Sequence, residues 1–254
     1  MCNFEQKIVN MKIVGIIPAR YASSRFPGKP LIDLNGKSMI QRVYEGVKKS
    51  NLLSDVIVAT DDQRIVDEVK RFGGKVVLTS ESHITGTDRC GEVALLLEDV
   101  DVVINIQGDE PLVDYRQIDQ LAEAFTNETV TIATLGIKQV SLEDLENSNR
   151  IKIVTDVFGN ALYFSRSAIP NSANFKGDAL ITYPYLRHIG LYAFRRSTLL
   201  ELIQLTPTLI EQVESLEQLR WLYYGYKINV VETEIETPNI DVPEDVKKVL
   251  AQLK

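Results

Sequence analysis

Three cations stand close together in the segment Pro18-Ala-Arg-Tyr-Ala-Ser-Ser-Arg-Phe-Pro-Gly-Lys29-Pro30. They are Arg20, Arg25 and Lys29, and the small residues among them are Ala22, Ser23, Ser24 and Gly28. Small residues let backbone N–H groups approach an anion. Cations gathered in one short loop are costly to desolvate unless an anion sits among them. The alternative is a solvated basic loop. Neither GxxxxGK[ST] nor GxGxxG occurs, so this is not a Walker loop or a dinucleotide fingerprint. A second segment is Gln107-Gly-Asp-Glu-Pro111, directly behind an apolar run. A carboxylate there, Asp109, is placed to hold a Mg²⁺ that bridges phosphate oxygens. Glu110 instead suits a cap on the next segment, and the whole stretch also reads as a polar turn. Asn239-Ile-Asp241-Val-Pro-Glu-Asp245 offers another carboxylate, Asp241, which serves equally as a helix cap before Pro243. In Thr85-Gly86-Thr87-Asp88-Arg89 the hydroxyls and Arg89 can read a base edge, or Thr87 can cap a helix. His188, one of two histidines, lies beside Arg187, where a structural role is the ordinary one. Glu217 and Gln218 fall on a helical stretch whose ordinary reading is a solvated face.

Such residues need a frame that brings them together. Lys12 to Ile17 is an apolar run ending at Pro18, and Val56 to Ala59, Val76 to Leu78 and Val102 to Ile106 are similar runs. Between them, Ser38 to Lys49, Arg64 to Phe72 and Thr87 to Glu98 carry apolar residues at helical spacing. Strands alternating with single helices imply βαβ units and a parallel sheet. Continuous apolar strands imply that both faces are covered. Ligands of such sheets bind beyond the carboxyl ends of the strands. The loops 18–30, 60–62 and 107–111 are therefore expected to open on one side.

The second half is more mixed. Thr131 to Leu135, Ile151 to Val154, Ala161 to Phe164, His188 to Ala193 and Lys227 to Val231 read as strands. Val213 to Tyr223 and Glu244 to Leu253 read as helices, and Asn171 to Pro184 as a loop. No linker, repeat or low-complexity tract divides the chain, so one α/β domain is expected. Residues 1–10 read as an extension outside the core, which then spans 11–254.

The formal net charge of −7 argues against a nucleic-acid or anionic-membrane partner. Cys2 and Cys90 have no metal-type or redox-type spacing, and few cysteines suit a reducing compartment. Neither a secretory leader nor a membrane-length apolar stretch is visible. A cytoplasmic protein is expected.

From Ile16 to Asp245 the chain resembles the 3-deoxy-manno-octulosonate (KDO) cytidylyltransferases. The resemblance rests on IIPARYASSRFPGKPL, the TD after the second strand, GTDR, INIQGDEP, ALYFSR followed by IP, RHIGLY, ESLEQLR and IDVPED, in that order. It implies a single-domain, mostly parallel open sheet of the nucleotide-diphospho-sugar transferase type, with a mixed second-half dimerisation region and a homodimer. It implies transfer of CMP from CTP to KDO, with pyrophosphate leaving and CMP-KDO feeding lipopolysaccharide assembly. Arg20 and Lys29 would hold the CTP phosphates, helped by the backbone of Ala22, Ser23 and Ser24. Thr85, Gly86, Thr87 and Arg89 would complete the nucleotide site. Asp109 and Asp241 would bind Mg²⁺. Arg25, Gln107, Arg166, His188, Tyr192, Glu217 and Gln218 would line the sugar pocket. Two departures stand out: Thr85 where the family commonly has Ser, and a loosely matching loop 171–184. Rival readings are a cytidylyltransferase for 8-amino KDO or a sialic acid, and a non-catalytic nucleotide-binding regulator. RFPGKP argues against the sialic-acid reading, and two metal-type carboxylates argue against the regulator.

Overall fold

The computed structural model describes residues 11–22, 26–138 and 141–253. The extension 1–10 lies outside the described residues, as do Ser23, Ser24 and Arg25. Strands β1 (Ile13–Ala19), β2 (Asp55–Thr60), β3 (Lys75–Leu78) and β4 (Val102–Asn105) run parallel in the order β3-β2-β1-β4. Helices α1 (Met39–Val47), α2 (Gln63–Arg71) and α3 (Gly86–Leu95) connect them. Each starts at a side-chain cap: Ser38 accepts from Gln41 N–H, Asp62 from Arg64 N–H and Thr85 from Asp88 N–H. Ile13 and Ile17 of β1 pack into one core layer with α1, α2 and α4 (Tyr115–Ala124). Val14 and Ile16 face the other layer, with α3, α7 (Arg196–Leu202) and α9 (Gln218–Tyr223). Both faces are thus covered, as the unbroken apolar strands require.

The remaining elements are β5 (Ile132–Lys138), α5 (Leu142–Glu146), β6 (Lys152–Thr155), β7 (Ala161–Ser165), α6 (Ala179–Thr182), β8 (Leu186–Arg195), α8 (Leu209–Glu214), β9 (Asn229–Glu232) and α10 (Asp245–Gln252). Strand β8 runs antiparallel to both β4 and β5, and β9 parallel to β5. One edge of β8 is covered by β5. The other is shared: β4 pairs with Tyr192–Arg195, and β6 pairs with Leu186 and Arg187. Between those two neighbours the sheet parts. A register shift at Thr134/Leu135 puts Gly190 and Leu191 into a bulge there, a device common beside functional sites.

Several boundaries differ from the sequence reading. Strand β1 continues through Pro18, which pairs with Ala59 of β2. Proline is tolerated because β4 reaches only as far as Asn105, opposite Ile16, so the missing N–H has no partner on that side. The expected helix from Val213 to Tyr223 is two helices broken at Ser215, which takes a left-handed φ of 52°. The expected loop 171–184 contains the short helix α6, capped by Asp178. Helix α4 has no counterpart in the sequence reading. Its cap is Asp114, so Glu110 is not the cap of the next element.

Candidate active site

The loops behind β1 and β4 and the start of α3 enclose a cleft of about 230 Å³. Ala19, Arg20, Lys29, Thr85, Gly86, Arg89, Gln107, Gly108 and Asp109 are among its walls. The expected common opening of the loops is therefore present. Asp61 joins it through an ion pair of 2.7 Å to Arg89. Gly108 is required where it stands: a Cβ there would lie 2.8 Å from the Pro18 carbonyl oxygen. The β4 loop can approach β1 this closely only without a side chain.

Arg20 is exposed at the mouth and makes no ion pair among the described residues. Lys29 is engaged: its ammonium donates to Asp109 Oδ2 at 2.7 Å and to the Ile240 carbonyl at 2.8 Å. Ile240 N–H in turn donates to the Asp109 carbonyl at 2.9 Å. These bonds bring the third sequence motif, 239–241, to the second. Asp241 is not the cap of α10. Its own N–H donates to the Asp245 carboxylate at 3.1 Å, and Asn239 Nδ2 donates to Asp241 Oδ2 at 3.1 Å.

Thr85 caps α3 in a capping box with Asp88, so the capping role falls to Thr85 and not to Thr87. Thr87 donates instead to Glu217 Oε2 at 2.8 Å. Arg89 is only 3 % exposed. Its guanidinium is taken by Asp61, Thr79 and the Ser80 carbonyl. Arg89 therefore acts on the cleft as a fixed wall, and Thr85-Gly86 presents the electropositive start of a helix.

A second cleft of about 430 Å³ opens where β4 and β6 part along β8. Gln107 and Asp109 belong to both clefts, and Asp241, Arg166 and His188 line the second. Gln107 is oriented by donating to the Gly190 carbonyl at the bulge, 3.1 Å. His188 Nε2 lies 2.9 Å from the Thr134 hydroxyl. Burial, with Arg187 beside it, pushes the His188 imidazole down to about 3, so it is neutral near pH 7. Arg166 donates to the carbonyls of Glu214 (2.8 Å), Ser148 (3.0 Å) and Ser215 (3.3 Å). The break between α8 and α9 is what frees two of those carbonyls.

Tyr192, Glu217 and Gln218 lie beneath, not on, the walls of either cleft. Glu217 and Gln218 are not on a solvated face: Gln218 is buried, and burial raises the Glu217 carboxyl above its ordinary value. Tyr192 packs edge-on against Trp221 at 5.1 Å and tilted against His188 at 5.2 Å. Gln218 Nε2 has no hydrogen-bond partner among the described residues, an expense usually met by a ligand or water. Arg25, Ser23 and Ser24, also assigned to the site from sequence, lie outside the described residues.

Sequence reasoning missed three groups here. Arg150 and Arg187 line the second cleft and both pair with Glu236. With Arg166 they make it a place for an anionic ligand. Glu110, also in its wall, is pushed up to about 7 by burial and by Asp109, although Thr237 donates to it. Arg187, adjacent to His188, and Glu110, adjacent to Asp109, carried a local signal. Arg150 comes from a separate segment.

The donor chemistry fits a hard divalent cation. Two carboxylates, Asp109 and Asp241, share one cleft, and no group of three His, Cys, Asp or Glu suited to a metal occurs among the described residues. Mg²⁺ commonly takes one or two carboxylates and completes its shell with substrate phosphates and water.

The family model described as cytidylyltransferase matches residues 14–228. A 3-deoxy-manno-octulosonate cytidylyltransferase from Geotalea daltonii is 49 % identical, covering 96 % of this chain and 99 % of that one. One from Parabacteroides distasonis is 52 % identical over 96 % and 98 %. Among solved structures, a CMP:2-keto-3-deoxy-manno-octonic acid synthetase complexed with CTP superposes with a TM-score of 0.89 at 41 % identity, covering 95 % of this chain and 98 % of the other. A 4-diphosphocytidyl-2C-methyl-D-erythritol synthase from Anaerococcus prevotii, at 16 % identity and TM-score 0.63, shares the fold.

Proposed function

We propose the reaction from one premise: the chain belongs to the 3-deoxy-manno-octulosonate cytidylyltransferase family. CMP passes from CTP to the anomeric hydroxyl of KDO. The hydroxyl oxygen bonds to the α-phosphorus, the bond to the β-phosphate oxygen breaks, and pyrophosphate leaves. The hydroxyl proton is lost to water. The product is the activated sugar, CMP-KDO, of lipopolysaccharide assembly. The observation that carries this reading is the shared wall: Gln107 and Asp109 line both clefts, so two ligands meet at one carboxylate.

The nucleotide takes the first cleft. Arg20 and Lys29 hold its phosphates, with Ala22, Ser23 and Ser24 supplying backbone N–H groups. Thr85, Gly86 and Arg89 form the base end, with Thr87 buried behind them. The sugar acid takes the second cleft, with Arg166 toward its carboxylate and Arg25, Gln107 and His188 around it, and with Tyr192, Glu217 and Gln218 beneath that wall as its support. A planar guanidinium suits a carboxylate bidentately. Neutral His188 can exchange hydrogen bonds with sugar hydroxyls without adding charge. Asp109 and Asp241 would hold Mg²⁺, which when bound supplies positive charge to the phosphates and acidifies the attacking hydroxyl. Phosphoryl transfer of this kind depends chiefly on positioning and charge stabilisation. That is what fixed carboxylates, pinned arginines and a helix start provide.

A homodimer is part of the proposal. Val157, Phe158 and Leu162 on the β6–β7 hairpin are exposed, as is Val213 on α8, and an apolar edge of this kind is a liability unless covered. Among the described residues no helix is long and apolar enough to cross a membrane, and a cytoplasmic place is proposed.

The test is pyrophosphate release with Mg²⁺, CTP and KDO, beside sialic acid, 8-amino KDO, UTP and ATP. Release with CTP and KDO alone is expected. Release with another sugar would move the substrate assignment. No release from a folded, CTP-binding protein would make it a nucleotide-binding regulator.

A further inference from the structure

Lys152 has no exposed surface, yet it is a lysine in the middle of a sheet. It sits on β6 where that strand meets both neighbours, opposite Ser165 of β7 and Arg187 of β8. Its ammonium donates to two backbone carbonyls, Arg166 at 2.6 Å and Asn147 at 3.0 Å. Burying an ammonium costs more than its hydrogen bonds usually return, and an apolar residue of similar size commonly serves stability as well or better. The bonds have one consequence that a methionine could not supply. They fix the first residue beyond the paired part of β7, and that residue is Arg166. From the other side the Glu214 carboxylate accepts the Arg166 N–H at 3.0 Å and the Ser165 hydroxyl at 2.7 Å. Asn147 closes α5, and the next residue, Ser148, supplies a carbonyl to the Arg166 guanidinium. The lysine therefore ties together the backbone that carries the arginine and the turn that holds its guanidinium.

We propose that Lys152 is the positioning residue for the sugar acid: by holding the Arg166 and Asn147 carbonyls it sets the Arg166 guanidinium in the wall of the second cleft for the substrate carboxylate. This rests on the assignment of Arg166 to the sugar. Lys152 itself touches neither substrate. It acts through the arginine, whose misplacement by about 1 Å is enough to weaken an oriented contact up to about a hundredfold.

The experiment uses the full chain with Mg²⁺, CTP and KDO, comparing Lys152→Met, Arg166→Ala and the double variant. For each, the KM of both substrates, kcat and the thermal midpoint are measured. Lys152→Met is expected to raise the KM for KDO about tenfold to a hundredfold, leaving the KM for CTP and the thermal midpoint near wild type. The double variant is expected to match Arg166→Ala alone, since two links of one chain do not add. An equal rise in both KM values, a lowered midpoint with the KM for KDO unchanged, or full additivity would overturn the proposal. Should Lys152→Met not fold, Lys152→Gln takes its place under the same criteria, and failure of both to fold would make the lysine purely structural. Arg166→Ala with an unchanged KM for KDO would instead refute the assignment of Arg166, whatever Lys152→Met does.

Discussion

The two clefts are built differently, although they share Gln107 and Asp109. The first is made from the ends of elements: the loops behind β1 and β4 and the start of α3. Its key cation, Arg20, is exposed and makes no ion pair among the described residues, and Lys29 already has a carboxylate to exchange. The second is made from strand sides. Arg166, Arg187 and His188 are each held by partners from other segments before any ligand arrives. A triphosphate brings large charge of its own and can reorganise exposed cations at small cost. A sugar acid offers one carboxylate and several hydroxyls, so discrimination has to come from groups fixed in advance. On the proposed assignment, the polyphosphate would be gripped by charge and the sugar by preorganisation.

The largest effect is expected at the shared wall. Asp109→Ala is expected to lower kcat on the order of a thousandfold, with CTP binding, followed by calorimetry, much less affected, because the loss falls on the transition state. Near-normal kcat at saturating Mg²⁺ would remove Asp109 from the chemistry.

Next in size is a crossed pair. Arg20→Ala is expected to raise the KM for CTP, and Arg166→Ala that for KDO, each by about tenfold or more, as for a lost charged hydrogen bond. Steady-state kinetics with each substrate varied in turn decides it. The opposite pattern would exchange the two clefts.

A smaller effect tests how firmly the second cleft is fixed. His188 is pushed from an ordinary 6.5 down to about 3. Between those values the unfolded chain binds the proton and the folded one does not. Stability is therefore lost as pH falls through that window and is indifferent to it above. Each pH unit counts for at most about 1.4 kcal/mol. Urea midpoints of His188→Asn should fall less steeply with acid than those of wild type; parallel curves would mean that the imidazole is not held neutral.

The smallest effect concerns residues 1–10, which lie outside the described residues. Removing residues 1–10 is expected to change stability by no more than about 0.5 kcal/mol and to leave kcat untouched. A clear loss in either assay would make that segment part of the working protein.

Most of the first cleft was legible because each of its motifs is contiguous. Pro18 to Pro30 and Gln107 to Pro111 come directly after apolar runs, and a loop at a strand's carboxyl end delivers its residues to one place whatever the rest of the chain does. Thr87 was harder: it reads as a cap, and only the helix phase made Thr85 the cap and sent Thr87 to Glu217. The second cleft was legible only as a resemblance. Lys152, Arg150, Glu236 and the breaks at Ser215 and Gly190 carry no periodic signal, since each matters through a partner far away in sequence.

The amino-acid order alone therefore determined the alternation of strands and helices, the apolar layers and the composition of the phosphate-side loops, because those arise from local periodicity and contiguous chemistry. Only the tertiary structure decided that Asp109 and Asp241 share a cleft, that Arg89 is a pinned wall, and that Gln218 is buried and Glu217 half-buried. Those outcomes hang on where β8 is divided between β4 and β6 and on which carbonyls a chain break releases. Strand pairing at long range is set by the summed burial of the whole sheet, and no local window of sequence contains that sum.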